Sequence, residues 1–549
     1  MSDVTKRIRV RTAGVPAVGW SAVLQRIGVR AAGLRAIGWS AVIQRMRVRA
    51  AGLRAIDWSA VIQRVGVRVA RLPALGRSAV TPRLGFRIGG VLAAIVVIGA
   101  LGLTLLQPLP VKPGVRPPLA ERVPGAVLPA AADPVLPGIG ADAPIPAADV
   151  LDSVLLPLVA VQALGTGVSI DVLDPLTGQH LMSEGPATAR TPASTAKLLT
   201  AAAALTALGP QTTLPTTVVA GANADEVVLV GGGDVMLSAG AGDPDAVNGR
   251  AGLSELARQT ARSLLAQGRS SVRLTLDDRL FSGPARSPGW APTDVDDGYV
   301  APIQALQIDG GRLGEGHYAQ RSSDPALTAA RTFAGLLRAR GVKVTGTVRR
   351  GSAPEAAAGA AAVLGRVESA PIAGIVELAL TDSDNTVAET LGRLVAIAAG
   401  QPGSFKAAGP AVLAELGKLG VPVTGAVLSD TSGLGDGSWV PPQTLTGALA
   451  LAAGPEQPQL RALLSGLPIA AISGTLAGRF SGSQQRAAIG VVRAKTGTLT
   501  GVSSLAGTVV DSDGRLLVFA AMADHVTSTT AARVALDRLA TTLAACGCR

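Results

Sequence analysis

The chain has 549 residues, 48% hydrophobic and only 2% aromatic, so it is long enough for two or three domains whose cores must be built from Ala, Val and Leu. Its net charge of +12 would suggest a nucleic-acid binder, but residues 1–87 hold seventeen Lys and Arg against two Asp, which leaves −3 for residues 88–549. The basic character belongs to an N-terminal arm, and no nucleic-acid partner is expected for the remainder.

The arm repeats with a 19-residue period: Gly19-Trp20-Ser21-Ala22-Val23, Gly38-Trp39-Ser40-Ala41-Val42, Asp57-Trp58-Ser59-Ala60-Val61 and a degenerate Gly76-Arg77-Ser78-Ala79-Val80. Two readings stand for it. Either short amphipathic pieces lie on an anionic inner leaflet, or this is a duplicated, mostly disordered arm or translated sequence upstream of the true start. Residues 88–106 carry no charge and are long enough to span a bilayer as one helix, with the basic residues on the N-terminal side. The positive-inside rule then places residues 1–87 in the cytoplasm and everything after 106 outside, anchored at the cell membrane by a single pass. A cleaved signal peptide fits less well, because the leader is too long and no Ala-x-Ala follows before the prolines begin. Residues 107–148 are rich in Pro and Ala, with eleven prolines from Pro108 to Pro146, and read as a semi-extended spacer.

The globular part opens with a predicted helix over 151–164, interrupted by Pro157, and a first hairpin whose leading strand is 167–173. An Ala- and Leu-rich helix follows from near Ser194, with Pro192 suited to its first turn. Residues 210–364 predict a mixed α/β lobe, with strands at 226–230 and 272–276 and a helix over 325–340. Helices are expected at 372–379 and 385–399. Strands at 489–495, 505–510 and 516–522, the last two joined by Asp513-Gly514, predict an antiparallel meander closed by a helix over 531–543. A sheet assembled from the two ends of the globular part, with the middle lobe inserted, accounts for this order.

The chemistry centres on Ser194-Thr195-Ala196-Lys197. Residues three apart share a helix face, so Ser194 would stand beside Lys197 at the positive end of the helix dipole. A buried lysine near another cation can lose its proton and act as a base, whereas an arginine cannot. Seven of the fifty basic residues are lysines, and only Lys197 has a serine three positions before it. Ser383-Asp384-Asn385, predicted in a loop, offers a hydroxyl to relay a proton and an amide to orient a lysine. Lys495-Thr496-Gly497-Thr498, predicted at the end of a strand, offers a carboxylate grip in Lys495 and Thr496, and a close approach for substrate backbone at Gly497. Backbone N–H groups of Ser194 and Thr498 would form an oxyanion hole, at about 3 kcal/mol of barrier per donor. The three motifs together mark a Ser-Lys acyl-transfer enzyme. No metal or organic cofactor is implied, since His180, His317 and His525 are scattered and the tail pair Cys546 and Cys548 cannot staple a fold.

Over residues 150–545 the sequence resembles the type-4 low-molecular-mass penicillin-binding proteins, D-alanyl-D-alanine carboxypeptidases and endopeptidases of peptidoglycan. Besides the three motifs, the likeness rests on Gly231-Gly232-Gly233-Asp234, Ala388-Glu389-Thr390-Leu391, Asp430-Thr431-Ser432-Gly433-Leu434 and Ser473-Gly474-Thr475-Leu476. It implies an α/β, penicillin-recognising serine hydrolase fold, an antiparallel sheet flanked by helices, at 149–209 and 365–549, with an inserted α/β domain at 210–364. It further implies Ser194 as nucleophile, Lys197 as base, Ser383 as proton donor to the leaving D-alanine, Asn385 as the holder of Lys197 and the acyl chain, and a substrate carboxylate on Lys495 and Thr496 beside Gly497 and Thr498. The partners it implies are peptidoglycan stem peptides, with β-lactam antibiotics as covalent inhibitors. The chain departs from the family in Val235-Met236, where Pro-Thr is usual, and in Gly435-Asp436-Gly437-Ser438-Trp439, which replaces a basic segment. Two alternatives remain open. A serine β-lactamase of the type that uses an added glutamate shares the motifs, but Glu389, Glu415 and Glu456 lack a Glu-x-x-x-Asn setting. A catalytically silent wall-binding protein would have no need of intact Ser194, Lys197, Asn385 and Lys495.

Overall fold

Among the described residues two five-stranded sheets organise the protein, the first drawn from both ends of the described chain and the second from its middle. The computed structural model describes residues 142–354 and 363–549. The repeat arm, the apolar run 88–106 and nearly all of the proline-rich spacer lie outside these residues. Among the described residues no helix is long and apolar enough to cross a membrane.

In chain order the elements are α1 (Ala148–Val159), β1 (Gly167–Leu173), β2 (His180–Glu184), α2 (Ala196–Ala207), β3 (Pro215–Ala220), β4 (Glu226–Gly231), α3 (Leu253–Ala266), β5 (Ser271–Asp277), α4 (Pro325–Arg338), β6 (Lys343–Arg350) and β7 (Val363–Glu368). There follow α5 (Ile372–Thr381), α6 (Asn385–Ala398), α7 (Phe405–Lys418), α8 (Pro442–Ala453), α9 (Arg461–Ser465), β8 (Arg493–Leu499), β9 (Val502–Val510), β10 (Leu516–Asp524) and α10 (Thr529–Ala545).

The first sheet runs β2-β1-β10-β9-β8, antiparallel throughout, so the first and last strands of the globular part lie side by side as their order in the sequence predicts. The Asp513-Gly514 turn joins β9 to β10, and Gly514 takes the positive φ (87°) such a turn requires. Period-two alternation divides β10 between two cores: Val518, Ala520 and Met522 face α2 and α8, while Leu517, Phe519 and Ala521 face α1 and α10. Burial on both faces explains why this strand reads as a continuous apolar run. The second sheet, β6-β5-β4-β3-β7, is mixed, with β4, β5 and β6 parallel and α3 and α4 packed on one face. Because β7 pairs with β3 as far as Glu368, this sheet reaches past the expected limit at residue 364.

The helix α2 packs against the helices α5, α6, α7 and α8, and α8 in turn lies on β1 and β10 of the first sheet. Residues 196 to 205 are all buried, hence its composition of Ala, Leu and Thr without a polar face. Leu198, Leu199 and Leu205 are fully buried at about 1.5–3 kcal/mol each, which offsets the burial of the one charged residue on the helix, Lys197. At the C-terminus the sulfurs of Cys546 and Cys548 lie against each other across Gly547, a pairing that ties no two elements together.

Candidate active site

Ser194 stands on a single 3-10 turn, Ala193–Thr195, that leads directly into α2. Pro192 enters it with φ −73°, and Ala193 is held at φ +47°, a left-handed conformation that costs a non-glycine residue about 1–2 kcal/mol. Three contacts keep the turn in place. Thr195 Oγ1 and Ser504 Oγ both donate to Pro192 O at 2.7 Å, and Gly433 (φ +72°) packs so closely that a Cβ there would lie 1.9 Å from Ala193 O. Backbone strain of this kind persists only where the surroundings over-determine it.

Lys197 Nζ, on the first turn of α2, meets three oxygens: Ser194 Oγ at 3.0 Å, Asn385 Oδ1 at 2.6 Å and the Ser432 carbonyl at 2.8 Å. The amide and carbonyl oxygens accept only, so a neutral amine places its two N–H bonds on them and turns its lone pair to Ser194 Oγ. Burial lowers the Lys197 amine to about 8, against the opposing pull of Asp430, Glu389 and Asp384. The sequence suggested burial together with a neighbouring cation. Here loss of solvation does the lowering, and the charges acting on Lys197 are carboxylates.

The loop 382–384 between α5 and α6 carries the second group. Ser383 is also left-handed (φ +58°), and its Oγ accepts from Lys495 Nζ at 2.8 Å. Asp384 caps α6 by accepting from Val387 N at 3.0 Å, the usual work of an aspartate at that position. Burial would raise its carboxyl, but Arg312 and Arg321 outweigh burial and hold it below the ordinary value, with Arg312 Nη2 at 2.7 Å. Asn385 Nδ2 donates to Tyr299 O at 3.0 Å, which directs its oxygen at Lys197, and Ala301 N donates to Thr386 Oγ1 at 2.9 Å. The segment between β5 and α4 therefore holds this loop through Tyr299, Ala301 and Arg312.

Lys495-Thr496-Gly497-Thr498 lies within β8, not at a strand end, and residues 489–492 precede the strand. The strand is an edge of the first sheet. Ala494 N donates away from β9 to Pro468 O at 2.9 Å, and the two-residue repeat sends the N–H groups of Thr496 and Thr498 out of the same edge. The N–H of Thr498 is thus free of the β9 ladder and points out of the sheet edge. Gly497 differs from expectation: a Cβ there would lie 2.1 Å from Ser504 Oγ and 2.5 Å from Pro192 O, so its bareness admits the Ser194 turn and not a substrate backbone. Lys495 is fully buried; burial pushes its amine well below its usual range, and Lys197 pushes in the same direction. Thr496 Oγ1 donates to Thr475 Oγ1 at 3.0 Å.

These groups open on a cleft of about 1370 Å³ whose lining includes Ser194, Ser383, Asn385, Thr496 and Thr498. Trp290, Asp294 and Asp436 stand in its wall, as do Arg479 and Arg533. The sequence thus placed Ser194, Lys197, Ser383, Asn385, Lys495, Thr496, Gly497 and Thr498 in one group, and they do converge. It named Ser432 only as part of a motif and gave it no role, since that residue acts through a main-chain oxygen that no side-chain pattern reveals, and it missed Tyr299 and Arg312, which lie far away in sequence. Among the described residues no cluster of His, Cys, Asp and Glu is arranged to hold a metal ion.

The model of the D-Ala-D-Ala carboxypeptidase 3 (S13) family matches residues 157–320 and 315–545, and the chain belongs to this family. It is 39% identical over 433 residues to carboxypeptidase DacB of Mycolicibacterium smegmatis, covering 78% of this chain and 91% of that one. To a carboxypeptidase of Mycobacterium tuberculosis it is 41% identical over 382 residues, covering 69% and 80% respectively. Among solved structures, penicillin binding protein 4 (dacB) of Haemophilus influenzae aligns with a TM-score of 0.57 at 23% identity, over 70% of this chain and 97% of that one, a likeness of fold.

Proposed function

We propose that this protein is a serine-type D-Ala-D-Ala carboxypeptidase, also able to cleave cross-links as a DD-endopeptidase, that acts on peptidoglycan stem peptides and is acylated by β-lactams at Ser194. The observation that carries the reading is the coordination of Lys197 Nζ by Ser194 Oγ, Asn385 Oδ1 and Ser432 O. Lys197 takes the hydroxyl proton as Ser194 Oγ attacks the carbonyl between two D-alanines. The oxyanion that forms is held by the N–H groups of Ser194 and Thr498. Ser383, backed by Lys495 at 2.8 Å, passes a proton to the departing nitrogen, and the C–N bond breaks. Thr496 on the cleft wall, with Lys495 behind it, receives the free carboxylate, and water then hydrolyses the ester to free Ser194. The family and the carboxypeptidase names of the relatives support this choice of substrate.

A β-lactamase of the glutamate type is disfavoured by the surroundings of Glu389. It is fully buried, and its two oxygens accept from Thr431 N, Thr431 Oγ1 and Ser432 N, so it is in no position to activate a water at the ester. Fluorescent penicillin tests the assignment: the wild type is expected to form a stable covalent adduct and Ser194→Ala none. An unlabelled wild type, or a labelled Ser194→Ala, would refute it, and rapid loss of label would favour the β-lactamase.

The penicillin-recognising unit in this reading comprises residues 149–209 and 365–549, and the second sheet belongs to an inserted domain at 210–364, extended by β7 to Glu368. The proposed location is the outer side of the cell membrane, with residues 88–106 as anchor, and the support is their uncharged length and the basic residues before them. Full-length protein should sediment with membranes, and a chain beginning at residue 107 should not. Equal partitioning of the two would dismiss the anchor.

A further inference from the structure

We propose that Glu389 is a positioning residue for acylation, acting through Ser432, whose carbonyl it fixes against Lys197 Nζ so that the amine presents its lone pair to Ser194. The inference rests on the acyl-enzyme reading of the site.

Glu389 lies one helical turn beyond Asn385 on α6, and the (i, i+4) spacing puts both on the face turned to α2. Asn385 reaches Lys197 directly, at 2.6 Å. Glu389 reaches it through the 431–432 turn: Oε1 accepts from Ser432 N at 2.8 Å and from Thr431 N at 3.1 Å, and Oε2 accepts from Thr431 Oγ1 at 2.9 Å. The Ser432 carbonyl then accepts from Lys197 Nζ at 2.8 Å. Because both Asn385 Oδ1 and Ser432 O must take an N–H before the lone pair is left for Ser194, displacing the turn releases one N–H to compete for that direction. The carboxylate is a costly choice for a purely structural role. It is fully buried, and it faces a second buried carboxylate, Asp430, whose charge adds to burial in raising Glu389 to about 7. Asp430 accepts from Gly433 N and Gly435 N at 2.7 Å, and so fixes the next part of the same turn.

The charges that face this network are Asp430, Asp384, Lys197 and Lys495, together with Arg393, a further turn along α6. Glu389 favours the protonated form of Lys197. Replacing it by a neutral isostere therefore moves two quantities in directions that a fold residue would not. The acylation plateau falls because an amide keeps one acceptor oxygen where the carboxylate had two, so that Ser432 O is held less firmly, and the pH midpoint falls because Lys197 loses an attracting charge while Asp430 keeps its own.

The test is the second-order rate of acylation by a fluorescent penicillin from pH 6 to 10, with the non-covalent dissociation constant and the melting temperature measured in parallel, on full-length wild type and Glu389→Gln. The expected result is a plateau lowered about tenfold, a midpoint shifted below the wild-type value, and unchanged non-covalent affinity. Thr431→Val removes one donor to Glu389 while keeping volume, and should shift both quantities less and in the same directions. This milder variant keeps the test decisive should Glu389→Gln fail to fold. A wild-type profile in both variants, or lost rate and lowered melting temperature with an unmoved midpoint, overturns the role of Glu389 and leaves the enzyme assignment intact. A wild type that takes no label takes down both.

Discussion

Lys197 shows most directly how burial becomes chemistry. A lysine on an exposed helix start is an ammonium at neutral pH and useless as a base, whereas here loss of solvation brings the amine to about 8. Acylation should therefore rise with pH through about 8 and level off above it, and a flat profile from pH 6 to 10 in stopped-flow labelling would contradict Lys197 as the base. The same shift has a stability counterpart of known sign. Between about 8 and the ordinary 10.5 the unfolded chain binds a proton that the folded chain does not, so this residue makes stability increase with pH across that window. The Ser-x-x-Lys spacing was legible because the helical repeat alone puts residues 194 and 197 together. The size and cause of the shift were not legible, because they depend on the many atoms that keep water away, and those come from α5, α6 and the turn at 430–435.

At the scale of elements, the site is the seam between the Ser194 turn and the edge strand β8. Gly497 and Gly433 close on that turn from two sides, with hypothetical Cβ atoms at 2.5 Å from Pro192 O and 1.9 Å from Ala193 O. Gly497→Ala has no flexible neighbour to displace, since the obstructing atoms are the backbone of the nucleophile turn and a buried hydroxyl. It is expected to destabilise by about 1–3 kcal/mol and to abolish labelling even where the protein remains folded. Normal acylation by Gly497→Ala would show that the turn and the strand are not in register as described. The sequence identified this glycine for a different reason, the approach of a substrate. Its motif reading named the right residue, but the partner of a bare Cα is fixed by which element packs there, and periodicity carries no such information.

For the whole molecule, the first sheet and the segment between β5 and α4 meet the stretch 383–386 from different directions. The first sheet supplies Lys495 to Ser383, and the segment running from β5 to α4 supplies Tyr299, Ala301 and Arg312 to the residues that follow. Arg312→Ala removes one arm of that support from a carboxylate only 3% exposed. Breaking a buried pair costs about 3–5 kcal/mol, and the loss here should fall at or below the lower end, because Arg321 and Val387 N still attend Asp384. Labelling should slow together with the fall in melting temperature, and a variant stable as wild type and equally reactive would show the link to be incidental. The sequence by itself determined the antiparallel meander at the end of the globular part, the helix with its serine and lysine, and the three motifs, because each is written in local periodicity, capping or turn chemistry. Only the tertiary structure decided what surrounds them: the Ser432 carbonyl on Lys197, the Ser194 turn against Gly497, and Arg312 on Asp384. Contacts between segments far apart in the chain are selected by packing and by the burial of charge, and neither leaves a repeat in the sequence.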